Sequence, residues 1–300
     1  MLWQSVLERE KGYRVLGWGK DRNERPVIGA CLLADDQLWL AEGPEGAALD
    51  GKDPTAWQQL RQRAGRVRMQ VVLSEPCYQL LSVDKPSGHL DAELASSLPY
   101  LVQDLSNVPL EHIHLDYFSA PTPADGREKL HVAVADRRRL SALVQRADDV
   151  DLTLDLISIE ELVLLDLLPP QPRPHILLWH LPGQPLKLLL AHEGRLLFSR
   201  NVRGFNLLDK LSDEEIRQGL YEELLLALQR SGDYLVRQLK QSAAEGLTLV
   251  LPLAQQQLLA PMLERDLTLS VQCLVDVDHS PQQILAHAAA MARGSDEDAN

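Results

Sequence analysis

A proline-rich run, PPQPRP at residues 169–174, divides the 300-residue chain into two halves. Proline fixes the backbone φ angle and has no amide hydrogen to donate, so neither a helix nor a central strand crosses such a run. The run therefore predicts a stiff, extended linker. A chain of 300 residues also exceeds the usual size of a single hydrophobic core, which favours two domains, or one domain that carries an inserted lobe.

Both halves begin with the same pattern of strands. A strand, a tight turn at an Asp pair and a second strand are predicted by VIGACLLADDQLWLA at residues 27–41. After the linker, three strands joined by PGQ and HEG turns are predicted by HILLWHL, PLKLLLA and RLLFSRNV. Helices and further strands follow in each half. The sequence therefore predicts an internal repeat of architecture, although the residues themselves do not repeat.

The first half carries an insertion between residues 84 and 150. Its pattern predicts a helix interrupted by Pro99, two strands that flank a polar loop, and a second helix. We therefore predict an α/β protein with an actin-like (RNase H-like, duplicated) fold and an inserted α+β subdomain. The predicted bounds are a first half at 1–168 with the inserted lobe at 84–150, a linker at 169–174, a second half at 175–293 and a disordered acidic tail at 294–300.

Composition excludes several classes of protein. The 43 acidic and 30 basic side chains give a formal net charge of −13, which opposes binding to nucleic-acid backbones. Basic runs such as Arg137–Arg139 are interpreted as solvated faces. No window approaches the roughly 18 to 20 apolar residues of a membrane span, and the N-terminus lacks the features of a signal peptide, so we expect a cytoplasmic protein. Cys31, Cys77 and Cys273 are too widely spaced to indicate a disulfide framework or a zinc motif.

Two groups of polar residues are weak candidates for chemistry. His112, His114 and Asp116 alternate along a predicted strand, so they share one face and a metal site is conceivable. No fourth ligand is evident, and a half-exposed polar strand face is the preferred interpretation. Loop and capping roles, rather than catalysis, are assigned to Asp276, Asp278 and His279. The sequence also lacks a G-x-S-x-G elbow and a P-loop, so neither catalytic residues nor a metal are predicted.

The order of these elements resembles that of the PilM-like proteins of type IV pilus assembly. The similarity covers Val27 to Arg293 and is strongest in VQDLSNVPLEHIHLDYF and LQRSGDYLVRQL. Within that family the chain is most similar to the MshI branch, which is associated with mannose-sensitive haemagglutinin (MSHA) pili. The cytoplasmic part of the secretion protein GspL is a relative that continues into a membrane span. Because no span follows here, the resemblance favours the separate PilM-like form.

The resemblance implies a cytoplasmic, actin-like protein that docks a membrane partner. The expected ligand is the cytoplasmic N-terminal peptide of a bitopic inner-membrane protein, PilN or its MshJ counterpart, and the pilus assembly ATPase is a further candidate partner. In PilM the peptide lies between the inserted lobe and the first subdomain. We therefore take Leu94, Leu98 and Leu101, on the helix predicted over 91–105, as candidate partner contacts. The alternative, that these leucines pack the core of the lobe itself, stays open.

The resemblance also implies a nucleotide site, whose first loop is the hairpin at residues 27–41. Such a hairpin needs an Asp to organise magnesium and a turn rich in Gly, Ser or Thr to meet phosphate. Cys31 stands where the family has Asp, and Leu33 replaces a turn glycine. Asp35 and Asp36 place negative charge in the turn, and Trp39 stands near the position of the family's Lys. Two acids in this turn would repel a triphosphate.

The other two nucleotide loops depart from the family pattern as well. The second hairpin should carry Asp-x-Gly with hydroxyl groups, yet it has His180 and Gly183, and Pro185 removes an amide donor. The adenosine loop should begin with paired glycines, but Pro252 and Leu253 stand there. Together the three departures predict that Mg-ATP does not bind and that no cofactor is used.

These observations lead to one functional hypothesis and one alternative. The first hypothesis is a non-enzymatic scaffold of type IV, MSHA-type pilus biogenesis, peripheral to the bacterial inner membrane through its partners. The alternative is a nucleotide-binding, actin-like ATPase of a pilus or type II secretion assembly.

Overall fold

The computed structural model describes residues 27–41, 48–86, 91–168, 172–277 and 279–292. These described residues form two compact units. The first unit contains the described residues up to Ala120, residues Glu128–Val163 and those from Leu285 onward. The second unit contains Pro121–Arg127 and Leu164–Ile284.

The first unit is built on a five-stranded sheet in the order β3-β2-β1-β4-β8. A meander of antiparallel strands, β1 to β3, forms one side, and β4 and β8 extend the sheet in parallel from β1. The strands are β1 (Val27–Leu32), β2 (Gln37–Leu40), β3 (Ala48–Asp50), β4 (Arg68–Leu73) and β8 (Thr153–Ile159). The parallel strands β1 and β4, at the centre of the sheet, are buried at five of their six residues each, as expected for parallel strands covered on both faces. In β2 and β3, buried residues alternate with partly or fully exposed ones.

The second unit repeats this topology strand for strand. Its sheet has the order β11-β10-β9-β12-β13. The first three strands again form an antiparallel meander, and the last two again run parallel to the first. The strands are β9 (His175–Trp179), β10 (Leu186–His192), β11 (Arg195–Val202), β12 (Gly246–Val250) and β13 (Ser270–Cys273). The internal repeat predicted from the two hairpins is therefore present in the backbone.

Local sequence signals explain where the helices begin and end. The carboxylate of Asp53 accepts the amide of Thr55 at the start of α1, and Gly65, with φ 73°, ends that helix. A capping box between Ser212 and Glu215 begins the helical run that leads into α6. The helices are α1 (Pro54–Ala64), α2 (Asp91–Val102), α3 (Arg137–Asp149), α4 (Glu160–Leu165), α5 (Asp213–Glu215), α6 (Tyr221–Arg237), α7 (Leu253–Asp266) and α8 (Pro281–Met291).

The inserted lobe is a three-stranded antiparallel sheet covered by α2. Its strands lie in the order β5-β7-β6, with β5 at Tyr78–Asp84, β6 at Ile113–Ser119 and β7 at Lys129–Asp136. This sheet begins earlier than the bound of 84 predicted for the lobe. Helix α3, which the prediction placed in the lobe, contacts β8 and α1 of the first half as well as β7.

The C-terminal helix α8 lies in the first unit from Leu285 onward, although the predicted bounds counted it with the second half. Gly29 of β1 makes this packing possible, because a Cβ atom at that position would overlap the Ala286 carbonyl oxygen and the Ala290 amide nitrogen. The buried amide of Gln70, oriented to satisfy both its nitrogen and its oxygen, donates to the carbonyls of Ala289 and Ala292 at the end of the helix. Small residues thus bring the helix into direct contact with the sheet.

The candidate functional site in two hairpin turns

The backbone amide groups of the turn between β1 and β2 form hydrogen bonds within the turn itself. The amide of Leu33 donates to the Gln37 carbonyl at 2.9 Å, and the amide of Asp36 donates to the Leu33 carbonyl at 3.0 Å. The carboxylate of Asp35 accepts the amide of Gln37 at 3.2 Å. Asp36 has a φ of 67°, a left-handed conformation that Asp tolerates better than most residues. These amides are therefore engaged within the turn.

The guanidinium group of Arg139, from α3, binds the carbonyl side of this turn. Its Nη2 atom donates to the carbonyl oxygens of Leu33 and Ala34 at 2.8 and 2.9 Å. The same nitrogen lies 2.6 Å from Oδ1 of Asp36, whose Oδ2 atom lies 2.7 Å from Nζ of Lys52. The turn thus encloses a cation of the protein itself. For Arg139, the interpretation of residues 137–139 as a solvated face is wrong, because the folded chain places this side chain against β1 and β2.

The charge of Asp36 is matched to these two cations. Partial burial raises the pKa of its carboxyl group, but hydrogen bonds and charges from Lys52 and Arg139 outweigh that effect and lower the pKa overall. Gly51 completes the contact, since its amide donates to the Asp36 carbonyl at 2.8 Å and a Cβ atom there would overlap that oxygen. Asp36 is therefore an ionised residue that joins the turn to α3 and to the segment after β3.

The remaining predicted positions of the first loop offer no ligand for magnesium. Cys31 is fully buried in β1 and is the register partner of Trp39 in β2. Burial raises the pKa of its thiol well above the ordinary value, and the nearby carboxylate of Glu160 raises it further, so the thiol is neutral. Glu160 and Glu161, at the start of α4, are buried acids that sequence reasoning missed. The signal was available in the acidic pair that interrupts the apolar run LISIEELVLL.

Those two buried carboxylates have partners within the first unit. Glu160 accepts the amide of Glu75 at 3.3 Å, and Glu161 accepts the hydroxyl of Tyr78. Hydrogen bonds of this kind are required where a charged group is buried. Glu160 therefore connects α4 to the segment between β4 and β5, and Glu161 connects α4 to β5 of the inserted lobe.

The turn between β9 and β10 holds a carboxylate of the protein. The amide of Gly183, whose φ is 76°, donates to Oδ1 of Asp209 at 3.2 Å. Nε2 of the fully buried His180 lies 3.2 Å from the same oxygen. Asp209 lies in a 3-10 turn at Leu208–Lys210, and sequence reasoning did not identify it. A carboxylate oxygen thus takes the turn amide that a phosphate oxygen would accept in a phosphate loop.

Charge at the second turn is set by burial and by the contact between His180 and Asp209. Burial lowers the pKa of His180, and Asp209 only partly offsets this. Burial raises the pKa of Asp209, but the Gly183 amide and the His180 ring lower it, and the net shift is downward. The second turn therefore contains an ionised carboxylate that is held by a backbone amide.

The third predicted loop runs from β12 directly into α7. Pro252 precedes the helix without a side-chain cap, and its carbonyl accepts the amide of Gln256 at 3.0 Å. The buried Gln256 side chain donates to the Val275 carbonyl at 2.7 Å and accepts the Val275 amide at 3.2 Å. The first turn of α7, where Leu253 begins the helix, is thereby joined to the segment after β13.

The candidate partner contacts on α2 divide into buried and exposed residues. Leu94 and Leu98 are buried in the core of the lobe, together with Val102. Leu101 is 45% exposed, next to Tyr100 at 65%. The alternative left open by the sequence is thus confirmed for Leu94 and Leu98, while Leu101 lies at the surface.

The weak metal candidates do not come together. His112 lies in a 3-10 turn at Leu110–His112 rather than on the strand. Asp116 is buried in β6 and accepts the amide of Tyr117 at 2.9 Å. His279 contacts Asp276 at 2.9 Å in an exposed pair, and Asp278 lies outside the described residues. Within the described part of the chain, no three His, Cys, Asp or Glu residues gather as metal ligands do.

Comparison with known proteins identifies the fold class of the chain. No family model matches the chain, and no curated protein matches it. Solved structures do match, and they show that the fold is actin-like, which confirms the predicted fold class.

The solved structure of a PilM–PilN type IV pilus biogenesis complex is similar over 88% of this chain and 97% of that chain, with 17% identity and a TM-score of 0.56. The cytoplasmic domain of EpsL, an inner-membrane component of the type II secretion system of Vibrio cholerae, shows 15% identity, coverage of 89% and 95%, and a TM-score of 0.48. A Bacteroides thetaiotaomicron protein with an actin-like ATPase fold shows 10% identity, coverage of 92% and 100%, and a TM-score of 0.48. At these identities the likeness concerns the fold.

None of the helices that the structure describes is both long enough and apolar enough to cross a membrane.

Proposed function

We propose that this protein is a non-enzymatic scaffold of type IV pilus assembly, of the MshI-like branch, at the cytoplasmic face of an inner membrane. Two observations support the proposal. The fold is similar to that of PilM in a PilM–PilN complex, and both hairpin turns that would meet phosphate are filled by side chains of the chain itself.

The second observation carries the proposal, because phosphate binding needs free donors. In phosphate loops, turn amides and cations converge on the ligand's oxygens. Here the amide of Gly183 is engaged by Asp209, and the cations Arg139 and Lys52 are engaged by Asp36. At either turn, a phosphate group would have to displace a carboxylate, that of Asp36 or that of Asp209, and would meet its charge on approach. The energetic cost of these exchanges favours a scaffold over a nucleotide-dependent enzyme.

The proposed partner is the cytoplasmic N-terminal peptide of a PilN-like or MshJ-like inner-membrane protein. Apolar peptides dock through side-chain anchors combined with backbone hydrogen bonds. The C-terminal part of α2 and the turn after it expose Tyr100, Leu101 and Leu105, at 65%, 45% and 55%. These side chains supply an apolar surface for such anchors on the inserted lobe.

A thermal-shift titration with Mg-ATP tests the degenerate nucleotide site. A ligand at about 100 times its Kd stabilises the folded state by about 2.7 kcal/mol. We expect no change in Tm at millimolar Mg-ATP. A saturable rise in Tm would contradict the proposal and favour the actin-like ATPase.

Partner docking is tested separately by calorimetric titration with a synthetic N-terminal peptide of a PilN-like protein from the same cell. We expect binding to the wild type and a loss of about tenfold or more for Leu101→Asp, because a carboxylate would enter an apolar contact. Val277→Asp is the matched control, since Val277 is 83% exposed and lies in the second unit. Equal affinities of the two variants would place the peptide elsewhere, and no binding to the wild type would remove the partner.

A further inference from the structure

Two arginines lie side by side on the second unit, where β11 meets α6. Arg200 of β11 is the register partner of Leu188 in β10, and Leu188 belongs to the core that α6 covers. Accordingly, Nη2 of Arg200 donates to the carbonyl of Ala227 in α6 at 2.6 Å. Arg230 follows Ala227 by about one helical turn. The two guanidinium groups therefore occupy the same edge of the unit.

Neither arginine is neutralised by a carboxylate of the residues that the structure describes. The only hydrogen bond of Arg200 to a described residue goes to a carbonyl oxygen, and its Nε atom is enclosed without a partner. Asp233 follows Arg230 by three positions, a spacing that allows an ion pair on a helix, but it pairs with Arg237 at 3.6 Å. Burial lowers the pKa of Arg200, and the charge of Arg230 lowers it further. Two unneutralised cations thus adjoin in a chain whose net charge is −13.

Apolar and aromatic side chains lie beside the two arginines and form an apolar bed. The rings of Phe198 and Tyr234 are in contact, with centroids 5.0 Å apart, and the guanidinium carbon of Arg200 lies 5.9 Å from the Phe198 centroid. Leu226, Arg230 and Tyr234 recur at every fourth position of α6, so they form a row along one side of the helix. Leu226 is 37% exposed. We call these residues, with Phe198 and Arg200, the arginine–aromatic ledge.

We propose that the arginine–aromatic ledge is a docking surface for an acidic segment of a protein partner. A carboxylate side chain of that segment would lie between Arg200 and Arg230, and an apolar neighbour would pack on Phe198 and Leu226. Guanidinium groups match the planar geometry of carboxylates and stack on aromatic rings. The apolar bed favours a polypeptide over a free inorganic anion. The residues of this surface are distinct from the candidate contacts on α2 and from the residues of the two hairpin turns.

The probe is a short fluorescein-labelled peptide that alternates glutamate and leucine, followed by fluorescence anisotropy on the full chain. We expect saturable binding that weakens as salt rises. Arg200→Gln should weaken binding about tenfold, since a partly buried charge-assisted contact is lost. Arg230→Gln should weaken it about threefold, because an exposed pair contributes less. Arg203→Gln is the matched control, as Arg203 is an exposed arginine just after β11, and its affinity should stay within about twofold of the wild type.

The outcomes separate the acidic peptide from other anions. Arg230 is exposed, so Arg230→Gln keeps the test decisive even if Arg200→Gln fails to fold. Equal affinities of the wild type, Arg230→Gln and Arg203→Gln would overturn the proposal. So would equal binding of a peptide that alternates lysine and leucine. If inorganic phosphate displaced the labelled peptide, or if the protein bound only to vesicles that contain phosphatidylserine, the ledge would be assigned to phosphate groups. Either result would also refute the proposal.

Discussion

Removing the Arg139 side chain should open the turn between β1 and β2. The guanidinium group donates to two backbone carbonyls, those of Leu33 and Ala34, and pairs with Asp36. A hydrogen bond to a charged group stabilises a fold by about 1.5–3 kcal/mol when it is buried, whereas an exposed ion pair contributes about 0–1 kcal/mol. The side chains of Arg139 and Asp36 are 25% and 22% exposed. We therefore assign the lower value, about 1.5 kcal/mol, to each of the two hydrogen bonds to carbonyls. Arg139→Ala should then lower the free energy of unfolding by about 3 kcal/mol.

A neighbouring residue provides the control. Arg138 follows directly in the same run and pairs with Asp136 at 2.7 Å, but its side chain is 65% exposed. Arg138→Ala should therefore leave the free energy of unfolding close to that of the wild type. The free energy of unfolding of both variants is obtained from urea titration by linear extrapolation. Because the chain has two units, hydrogen exchange at the amides of β1 and β2 should show whether the loss is local. Equal losses for the two variants, or unchanged exchange in this hairpin, would refute the assignment of Arg139 to the turn.

Three further predictions concern stability. Asp36 has a lowered pKa in the folded state, so its contribution to stability is present above the ordinary Asp value of about 4 and is lost as the pH falls through the folded pKa. Urea midpoints of the wild type should therefore approach those of Asp36→Asn progressively as the pH falls below that ordinary value, and a constant difference would refute this. Asp209→Ala should cost about 1–3 kcal/mol, since Nε2 of the buried His180 ring loses its partner, whereas Asp209→Asn should cost less in the same titration. Gly29→Ala should cost about 3 kcal/mol or more, because the new methyl group meets backbone atoms of α8 that cannot rotate away; a wild-type melting curve would contradict this packing.

The sequence predicted the architecture because its signals are local. Alternating apolar residues and turn residues identified the hairpins at 27–41 and 175–191, and the structure repeats one topology around them. The position of α8 was not predictable in this way. Its placement depends on the fit between Gly29 and Ala286, and that pairing leaves no periodic trace in either segment.

The sequence identified the candidate site because its loops lack the residues that bind phosphate and magnesium. It did not identify Arg139 and Asp209, the side chains that occupy the two turns. Cys31 and His180 were identified because actin-like loops need other residues there. Arg139 lies 106 positions from Leu33 along the chain, and Asp209 lies 26 positions from Gly183. Single-sequence patterns report which residues share a face of one element, not which distant side chain enters a turn. A run of arginines usually forms a solvated face, and for this reason the sequence analysis did not predict the role of Arg139.

The two turns have departed from phosphate binding in opposite ways. The first turn presents carbonyl oxygens and the carboxylate of Asp36, so its occupant is a cation, and its polarity is the reverse of a phosphate loop. The second turn still presents an amide hydrogen, that of Gly183, and its occupant is the carboxylate of Asp209. Removing the occupant therefore has different consequences at the two turns. Without Arg139 the first turn would repel an anion, whereas without Asp209 the second would regain a free donor. A residual affinity for an oxyanion, if the fold retains one, would thus reside in the second hairpin.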